Sequence, residues 1–198
     1  PLSELDADAY AAGTKDGAVR RFAHLPEPDY TPESVRRMIR EEVATGLSSG
    51  TLAVLALADA ETDQFVGSMV LFDVSSEAAE VGFWIHPGAR GGGHAGRGLE
   101  LASRFARTSG LRTLTARTLP ENKASQHCLT TAGFRETGRG LGATPAGQRE
   151  ELFHYQRDLI PAAQWPLVTE RLRLRLHEAE DAGWLHNLYS QPDVARYL

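Results

Sequence analysis

The chain has one cysteine, two lysines and no long apolar run, and each absence removes a class of protein. Cys128 has no second cysteine to pair with, so the sequence predicts no internal disulfide and favours a reducing, cytoplasmic location. No stretch approaches the roughly 18 apolar residues of a membrane-spanning helix. The first residues show no basic end followed by an apolar run. Neither a membrane partner nor a secretory signal is therefore expected.

Acidic residues outnumber basic residues, which gives the 198-residue chain a formal net charge of −5 at pH 7. Because nucleic-acid binding depends on basic surface, we expect no nucleic-acid partner. Only Lys15 and Lys123 are lysines, and the other cations are arginines, whose planar guanidinium suits phosphate. The 41% apolar and 24% charged fractions are typical of a globular protein with a full core.

The hydrophobic pattern predicts an α+β fold built on a mixed sheet. Three strands joined by short polar links favour an antiparallel meander, and a β–loop–α–β–α segment follows it. The predicted strands span 51–58, 65–72, 80–86, 111–119 and 151–159, with a further strand starting at 133 and a loose segment over 138–148. The predicted helices span 5–12, 99–109 and 122–132, with another capped by Thr31 and ended by Gly46 and Gly50.

A glycine-rich loop from Arg90 to Gly96 lies between a predicted strand and a predicted helix. Glycines let backbone N–H groups approach a ligand closely, and a helix N-terminus attracts phosphate. No lysine stands in the loop, so the nucleoside-triphosphate pattern fails. Gly91, Gly93 and Gly96 formally fit Gly-x-Gly-x-x-Gly, which leaves a nicotinamide-dependent oxidoreductase as one alternative.

The same loop also fits Gln/Arg-x-x-Gly-x-Gly/Ala, and here the chain resembles the GNAT (GCN5-related) N-acetyltransferases. Three further segments agree in order: 80–87 (Glu-Val-Gly-Phe-Trp-Ile-His-Pro), 119–125 (Leu-Pro-Glu-Asn-Lys-Ala-Ser) and 132–134 (Ala-Gly-Phe). The resemblance covers residues 1 to 158 and is most specific to the RimJ/RimL-like branch, which acetylates ribosomal proteins. It implies a mainly antiparallel mixed sheet flanked by helices, acetyl-CoA as cosubstrate, and direct attack by a primary amine.

The resemblance also implies roles for individual residues. Glu80 is expected to take the ammonium proton, directly or through water, and Ser125 to protonate the leaving thiolate. Backbone groups of 83–85 are expected to pair with the pantetheine amides. The implied acetyl-CoA-binding residues are Phe83, Trp84, Ile85, Arg90, Gly91, Gly92, Gly93, His94, Ala95, Gly96, Asn122 and Ser125.

Other residues are assigned smaller or negative roles. Many acetyltransferases carry a tyrosine acid close to the position of Leu129, so that version of the chemistry is not supported here. Cys128 is interpreted as structural rather than nucleophilic. His154 or Tyr155 could orient the acceptor, and one of the two faces the core because strand residues alternate. No metal is expected, since His, Cys and Asp do not cluster at ligand spacings.

The C-terminal segment resembles the opening of a second unit of the same family. Residues 168–175 look like its first strand, and a helix and Pro-Asp-Val-Ala-Arg-Tyr follow. We therefore predict a GNAT-like domain over 1–160 without its first strand and a linker over 161–167. Residues 168–198 are then the start of a second unit, or supply a strand that replaces the missing one. A homodimer or a strand-swapped assembly is one expected consequence.

The acceptor surface lies in the least informative segments, 20–30 and 138–148, so the acceptor stays open between a protein N-terminus and a small molecule. The main hypothesis is an acetyl-CoA-dependent N-acetyltransferase. The alternative is a non-catalytic acyl-CoA-binding half of a tandem protein, which the missing tyrosine motivates.

Overall fold

A computed structural model describes residues 1–23, 25–143, 149–159, 167–175 and 178–196. The chain divides into two units, Pro1–Ile160 and Pro161–Leu198. Most of the predicted linker, 161–166, lies outside the described residues, as does the end of the predicted loose segment, 144–148.

The described residues of the first unit form six α-helices and six strands. The helices are α1 (Ala7–Gly13), α2 (Gly17–Phe22), α3 (Pro32–Met38), α4 (Ala44–Ser49), α5 (His94–Thr108) and α6 (Lys123–Thr131). The strands are β1 (Ala53–Ala58), β2 (Phe65–Phe72), β3 (Ala78–Ile85), β4 (Thr113–Thr118), β5 (Arg135–Ala143) and β6 (Arg149–Asp158). A π-helical segment, Ile39–Val43, joins α3 to α4.

Local sequence signals explain several of these boundaries. Thr31 accepts a hydrogen bond from the Ser34 backbone N–H and caps α3, with Pro32 at the first helical position. Asn122 caps α6 in the same way through Ser125 N–H. Gly50 ends α4 in the left-handed conformation. The expected stop at Gly46 is wrong, because Gly46 lies inside α4 and packs against Leu52.

The six strands form one sheet in the order β1-β2-β3-β4-β6-β5. β1, β2 and β3 are the predicted antiparallel meander, and β4 joins β3 in parallel. β6 pairs antiparallel with both β4 and β5. The expectation of a loose segment from 138 is wrong over its first part, because β5 continues to Ala143 in a hairpin with β6.

Each face of the sheet carries its own core. On one face, α5 and α6 pack on Met69, Leu114 and neighbouring residues. On the other face, α1, α3 and their neighbours bury Tyr10, Val35 and Trp84. The sheet is therefore a layer between two groups of helices, and alternate residues of one strand face different groups.

The second unit contains a short antiparallel pair and two helices. β7 (Leu167–Val168) pairs with β8 (Arg173–Leu174), and α7 (Ala182–Tyr189) and α8 (Pro192–Ala195) follow. Regular strand structure in the Arg-Leu repeat covers two residues among those described. Whether this unit opens a second domain or supplies a missing strand stays a prediction.

Candidate active site

The site begins where β3 and β4 separate. The two strands are paired at only three positions, from Ala78↔Thr113 to Glu80↔Thr115. Beyond Glu80 both continue, β3 to Ile85 and β4 to Thr118, without pairing to each other. Backbone groups along residues 81–85 therefore face an open wedge, where an extended ligand with amide groups can add as a strand.

The glycine loop lies just beyond the end of β3 and leads into α5. Gly91 and Gly93 have φ of +84° and +73°, a region that glycine occupies without strain. Gly93 is the N-cap of the 15-residue α5, and no side chain caps this helix end. The first N–H groups of α5 therefore point outward with the positive end of the helix dipole, an arrangement that suits phosphate.

Arg90, expected to contact phosphate, also forms an ion pair with Asp16. Its Nη2 donates to Asp16 Oδ1 at 2.6 Å, and Asp16 also caps α2 through Ala18 and Val19. The Arg90 guanidinium, with help from these backbone N–H groups, holds the pKa of the Asp16 carboxyl below its usual range. The ion pair thus ties the start of α2 to the glycine loop.

A groove of about 570 Å³ runs from the loop along β3 to α6. All the predicted acetyl-CoA-binding residues except Gly92 line this groove. Gly92 instead offers its carbonyl to Arg97, and a Cβ there would lie 2.6 Å from His94 Nε2. Sequence reasoning missed one wall, which α2 supplies through Ala18, Val19, Phe22 and Ala23.

Cys128 also lines this groove, where it packs against the core and is only partly buried. Burial raises the pKa of its thiol, which disfavours the thiolate form. The interpretation of Cys128 as a packing residue rather than a nucleophile agrees with this environment.

A second cavity, of about 340 Å³, continues the groove toward Glu80. Phe22, Phe83, Asn122 and Ser125 line both spaces, so the groove and the cavity meet at these residues. Leu129 forms part of the cavity wall with only 1% of its surface exposed.

Glu80 faces this cavity as half of an ion pair. Its side chain is 14% exposed, and Arg117 Nε donates to both carboxylate oxygens, at 2.8 and 2.9 Å. Arg117 Nη2 also lies 3.8 Å from Asp73 Oδ2. Arg117 has no motif around it, and the sequence gives no sign of this contact with a residue 37 positions away.

The two candidate orienting residues on β6, His154 and Tyr155, lie on opposite faces of the sheet, as strand alternation requires. Tyr155 is 3% exposed and belongs to the core under α5 and α6, and burial raises the pKa of its phenol. His154 stands opposite Arg117 in the β4–β6 register. It therefore lies on the same face of the sheet as Arg117.

An ion-pair cluster crosses one end of the cavity. Arg21 of α2 donates to Glu121, at 2.6 Å, and to both carboxylate oxygens of Glu150, at 2.7 and 2.8 Å. These hydrogen bonds raise the pKa of Arg21 and hold the pKa of Glu150 below its usual range. They connect α2 to the loop before α6 and to β6.

Three further observations concern metal ions, membrane helices and dinucleotide-binding folds. The described residues contain no group of three or more His, Cys, Asp or Glu side chains placed to hold a metal ion. No helix in the described ranges combines the length and apolar character needed to cross a bilayer. The loop lies in a parallel β3–α5–β4 unit, but β2, β5 and β6 pair antiparallel with their neighbours, unlike the parallel sheet of a dinucleotide-binding fold.

A sheet split between two parallel strands, with an uncapped helix end behind a glycine loop, defines the acyl-CoA N-acyltransferase fold. The model of the acetyltransferase (GNAT) domain family matches residues 1–135. The chain belongs to the GNAT acetyltransferase family, which confirms the resemblance found in the sequence. No curated protein matches the chain by sequence.

Solved structures share this fold at low sequence identity. The ribosomal-protein-S5-alanine acetyltransferase of Vibrio fischeri superposes with a TM-score of 0.69 at 15% identity, covering 84% of this chain and 93% of that one. RimJ of Mycobacterium smegmatis, in complex with CoA-disulfide, gives 0.69 at 20% identity over 84% and 82%. Spermidine N-acetyltransferase from Vibrio cholerae, with CoA and spermine, gives 0.67 at 16% over 80% and 92%.

Proposed function

We propose that this chain transfers the acetyl group of acetyl-CoA to a primary amine by direct attack, with the donor in the groove and the acceptor in the cavity beside Glu80. The observation that carries this proposal is the separation of β3 and β4 beyond Glu80. The separation leaves a passage in which the groove and the cavity share four lining residues. A thioester in that passage is reachable by an amine from the cavity.

The groove offers a suitable group for each part of the donor. The N–H groups of the loop and of the start of α5 suit the pyrophosphate. The unpaired edge of β3 over residues 83–85 suits the two pantetheine amides, which would add as a short strand. Arg90 also lines the groove, and its hydrogen bond with Asp16 uses one of the five guanidinium N–H donors, so the same side chain suits a phosphate.

The reaction requires a neutral amine, a polarised carbonyl and a proton for the leaving group. Glu80 takes the ammonium proton, and Arg117 orients its carboxylate through the paired hydrogen bonds. The amine nitrogen then bonds to the carbonyl carbon as the carbon–sulfur bond breaks. Ser125, on the shared wall, gives its proton to the thiolate and regains one from the nitrogen, which loses its second proton as the amide forms. Glu80 then releases its proton to solvent. The products are an amide and CoA.

The cavity is lined by two carboxylates, Glu80 and Asp73, and by two guanidinium groups, Arg21 and Arg117, so its formal charges balance. Structural neighbours are named for an alanine of a ribosomal protein and for spermidine. Both a protein N-terminus and a small polyamine are therefore acceptors worth testing here.

The first experiment is a calorimetric titration of the purified chain with acetyl-CoA, with NADH in a parallel cell. We expect micromolar binding of acetyl-CoA and none of NADH. CoA release is then measured with spermidine, with a peptide bearing a free N-terminal alanine, and with the same peptide N-acetylated beforehand. The blocked peptide is the matched control, and release with it would rule out amine attack.

A second candidate function is acyl-CoA binding without catalysis. Two observations favour it: Glu80 is already engaged by Arg117, and the apolar Leu129 has no proton to offer the leaving thiolate. Tight acetyl-CoA binding without turnover on any amine of the panel would establish this function in place of the first.

A further inference from the structure

Thr118, the last residue of β4, has a buried hydroxyl without a partner. The residue is 7% exposed and lines the cavity. Within the described parts of the chain, its Oγ1 is the single buried side-chain nitrogen or oxygen with no hydrogen bond. Valine has the same shape without the polar atom, so packing alone does not explain a threonine here.

A buried hydroxyl without a partner costs stability, and folded proteins satisfy nearly all such groups. Two other hydroxyls, on β4 and α5, follow this rule. Thr115, on the same strand, donates to the Ala79 carbonyl at 3.4 Å, and Ser103 of α5 donates to the Leu99 carbonyl at 2.7 Å. The exception at Thr118 therefore points to a partner that binds in the cavity.

The position of Thr118 identifies which part of a ligand it meets. Glu80 and Thr115 are the last paired residues of β3 and β4, so three residues, or about 10 Å, separate Thr118 from that level. Thr118 thus stands level with Phe83, on the groove side of Glu80. It also shares a sheet face with Ala116, which packs in the core under α5 and α6.

A donor lying along β3 from the loop to Glu80 places its atoms in a fixed order. The carbonyl carbon must lie nearest Glu80, because the amine attacks from that side. The sulfur and the pantetheine arm follow toward the loop. The two pantetheine amides lie along residues 83–85, and two methylene groups link the first amide to the sulfur, so a hydroxyl level with Phe83 lies closer to the sulfur than to the attacking amine.

We propose that Thr118 is a further catalytic residue, whose hydroxyl donates a hydrogen bond to the sulfur of the acyl-CoA as the thiolate leaves. The inference rests on the proposed function. When the carbon–sulfur bond breaks, the electron pair stays on sulfur, and the hydroxyl of Thr118 stabilises the resulting charge. Ser125, on the same cavity wall, supplies the proton that completes the CoA thiol.

The test compares Thr118→Val, Thr118→Ser and, as a matched control on the same strand, Thr115→Val. Thr118→Val should fold with an unchanged or higher Tm, because it removes a buried polar atom without changing shape. Its kcat should fall about 10- to 100-fold with little change in the KM for acetyl-CoA, as for loss of a donor to developing charge. Thr118→Ser should restore most of the rate, and Thr115→Val should keep the wild-type kcat.

A binding measurement separates this role from a structural one. CoA and an analogue in which hydrogen replaces the thiol are titrated into each variant. Thr118→Val should weaken binding of CoA and leave binding of the analogue unchanged. Equal loss for both ligands, an unchanged kcat, or no rescue by serine would overturn the role of Thr118 while the proposed function stands. Absence of turnover by the wild-type chain would instead overturn the proposed function.

Discussion

The left-handed conformation of Gly93 gives a prediction that links loop geometry to donor binding. Gly93 and Gly50 both have φ of +73°, and both have room for a Cβ. At Gly93 the nearest atom is Arg97 Cζ, 4.0 Å away, and at Gly50 nothing lies within 4 Å. Alanine at either position therefore introduces backbone strain without a steric clash, and only Gly93 lies in the groove.

The size of the strain follows from the backbone alone. A left-handed alanine costs about 1–2 kcal/mol, and the stiffer unfolded chain offsets about 0.4–1 kcal/mol of this. The net loss is about 1 kcal/mol, or about 2–4 °C in Tm for a chain of this size. Gly50→Ala should show the whole loss as reduced stability, with an unchanged Kd for acetyl-CoA.

In Gly93→Ala the same backbone strain lowers either the stability of the fold or the affinity for acetyl-CoA. If the loop keeps its shape, stability falls by about 1 kcal/mol and the Kd is unchanged. If the loop relaxes, stability is retained, but binding of acetyl-CoA must then return residue 93 to the left-handed conformation. That cost raises the Kd for acetyl-CoA up to about fivefold. Urea unfolding and calorimetric titration measure the two parts, whose sum should match the loss in Gly50→Ala. A Gly93→Ala chain with wild-type stability and wild-type Kd, beside a destabilised Gly50→Ala, would refute the loop geometry.

Three other substitutions test separate parts of the site. Glu80→Gln should retain acetyl-CoA binding and lower turnover about 100-fold, while the exposed Glu77→Gln should behave as wild type in a CoA-release assay; equal rates would remove Glu80 as the base. Asp16→Asn keeps a capping side chain and removes the charge that pairs with Arg90. Because the pKa of Asp16 is lowered in the folded chain, its carboxylate stabilises the fold at neutral pH, and this stabilisation is lost as the pH falls through that lowered pKa. The Tm difference between Asp16→Asn and wild type should therefore shrink between pH 7 and pH 3. A growing difference would contradict the ion pair. Leu129→Ala should lower the free energy of unfolding by about 2–5 kcal/mol, since the side chain is 1% exposed, and a negligible loss would mean that this cavity wall is not packed as described.

Local chemistry made much of the fold predictable. The bounds of β2 were predicted to the residue, since polar residues flank a run that is apolar except at Gly67 and Ser68. The caps at Thr31 and Asn122 depend on residues three positions apart, which a sequence displays directly. The start of α5 at His94 was placed too late, because its first turn contains glycine and no apolar residue except Ala95.

The remaining features depend on pairing between distant segments. β5 continues through Gly138, Gly140 and Gly142, which disfavour a strand, because β6 supplies a partner for each of them. The contact of Arg117 with Glu80, the wall that α2 adds to the groove, and the burial of the Thr118 hydroxyl arise in the same way. None of these has a signature within a short window of sequence.

Strand alternation accounts for the different roles that we propose for the neighbouring residues Arg117 and Thr118. Arg117 faces His154 in register and holds Glu80 on the side of the acceptor, whereas Thr118 shares the opposite face with Ala116. In a sheet paired throughout, these two faces would be separated by a continuous backbone layer. Because β3 and β4 part beyond Glu80, the layer is open at this point, and groups from both faces reach one passage. A one-residue shift of β4 would exchange the two faces, placing a cation beside the sulfur and a neutral hydroxyl beside Glu80. The three-residue pairing that fixes this register therefore fixes the division of chemical roles as well.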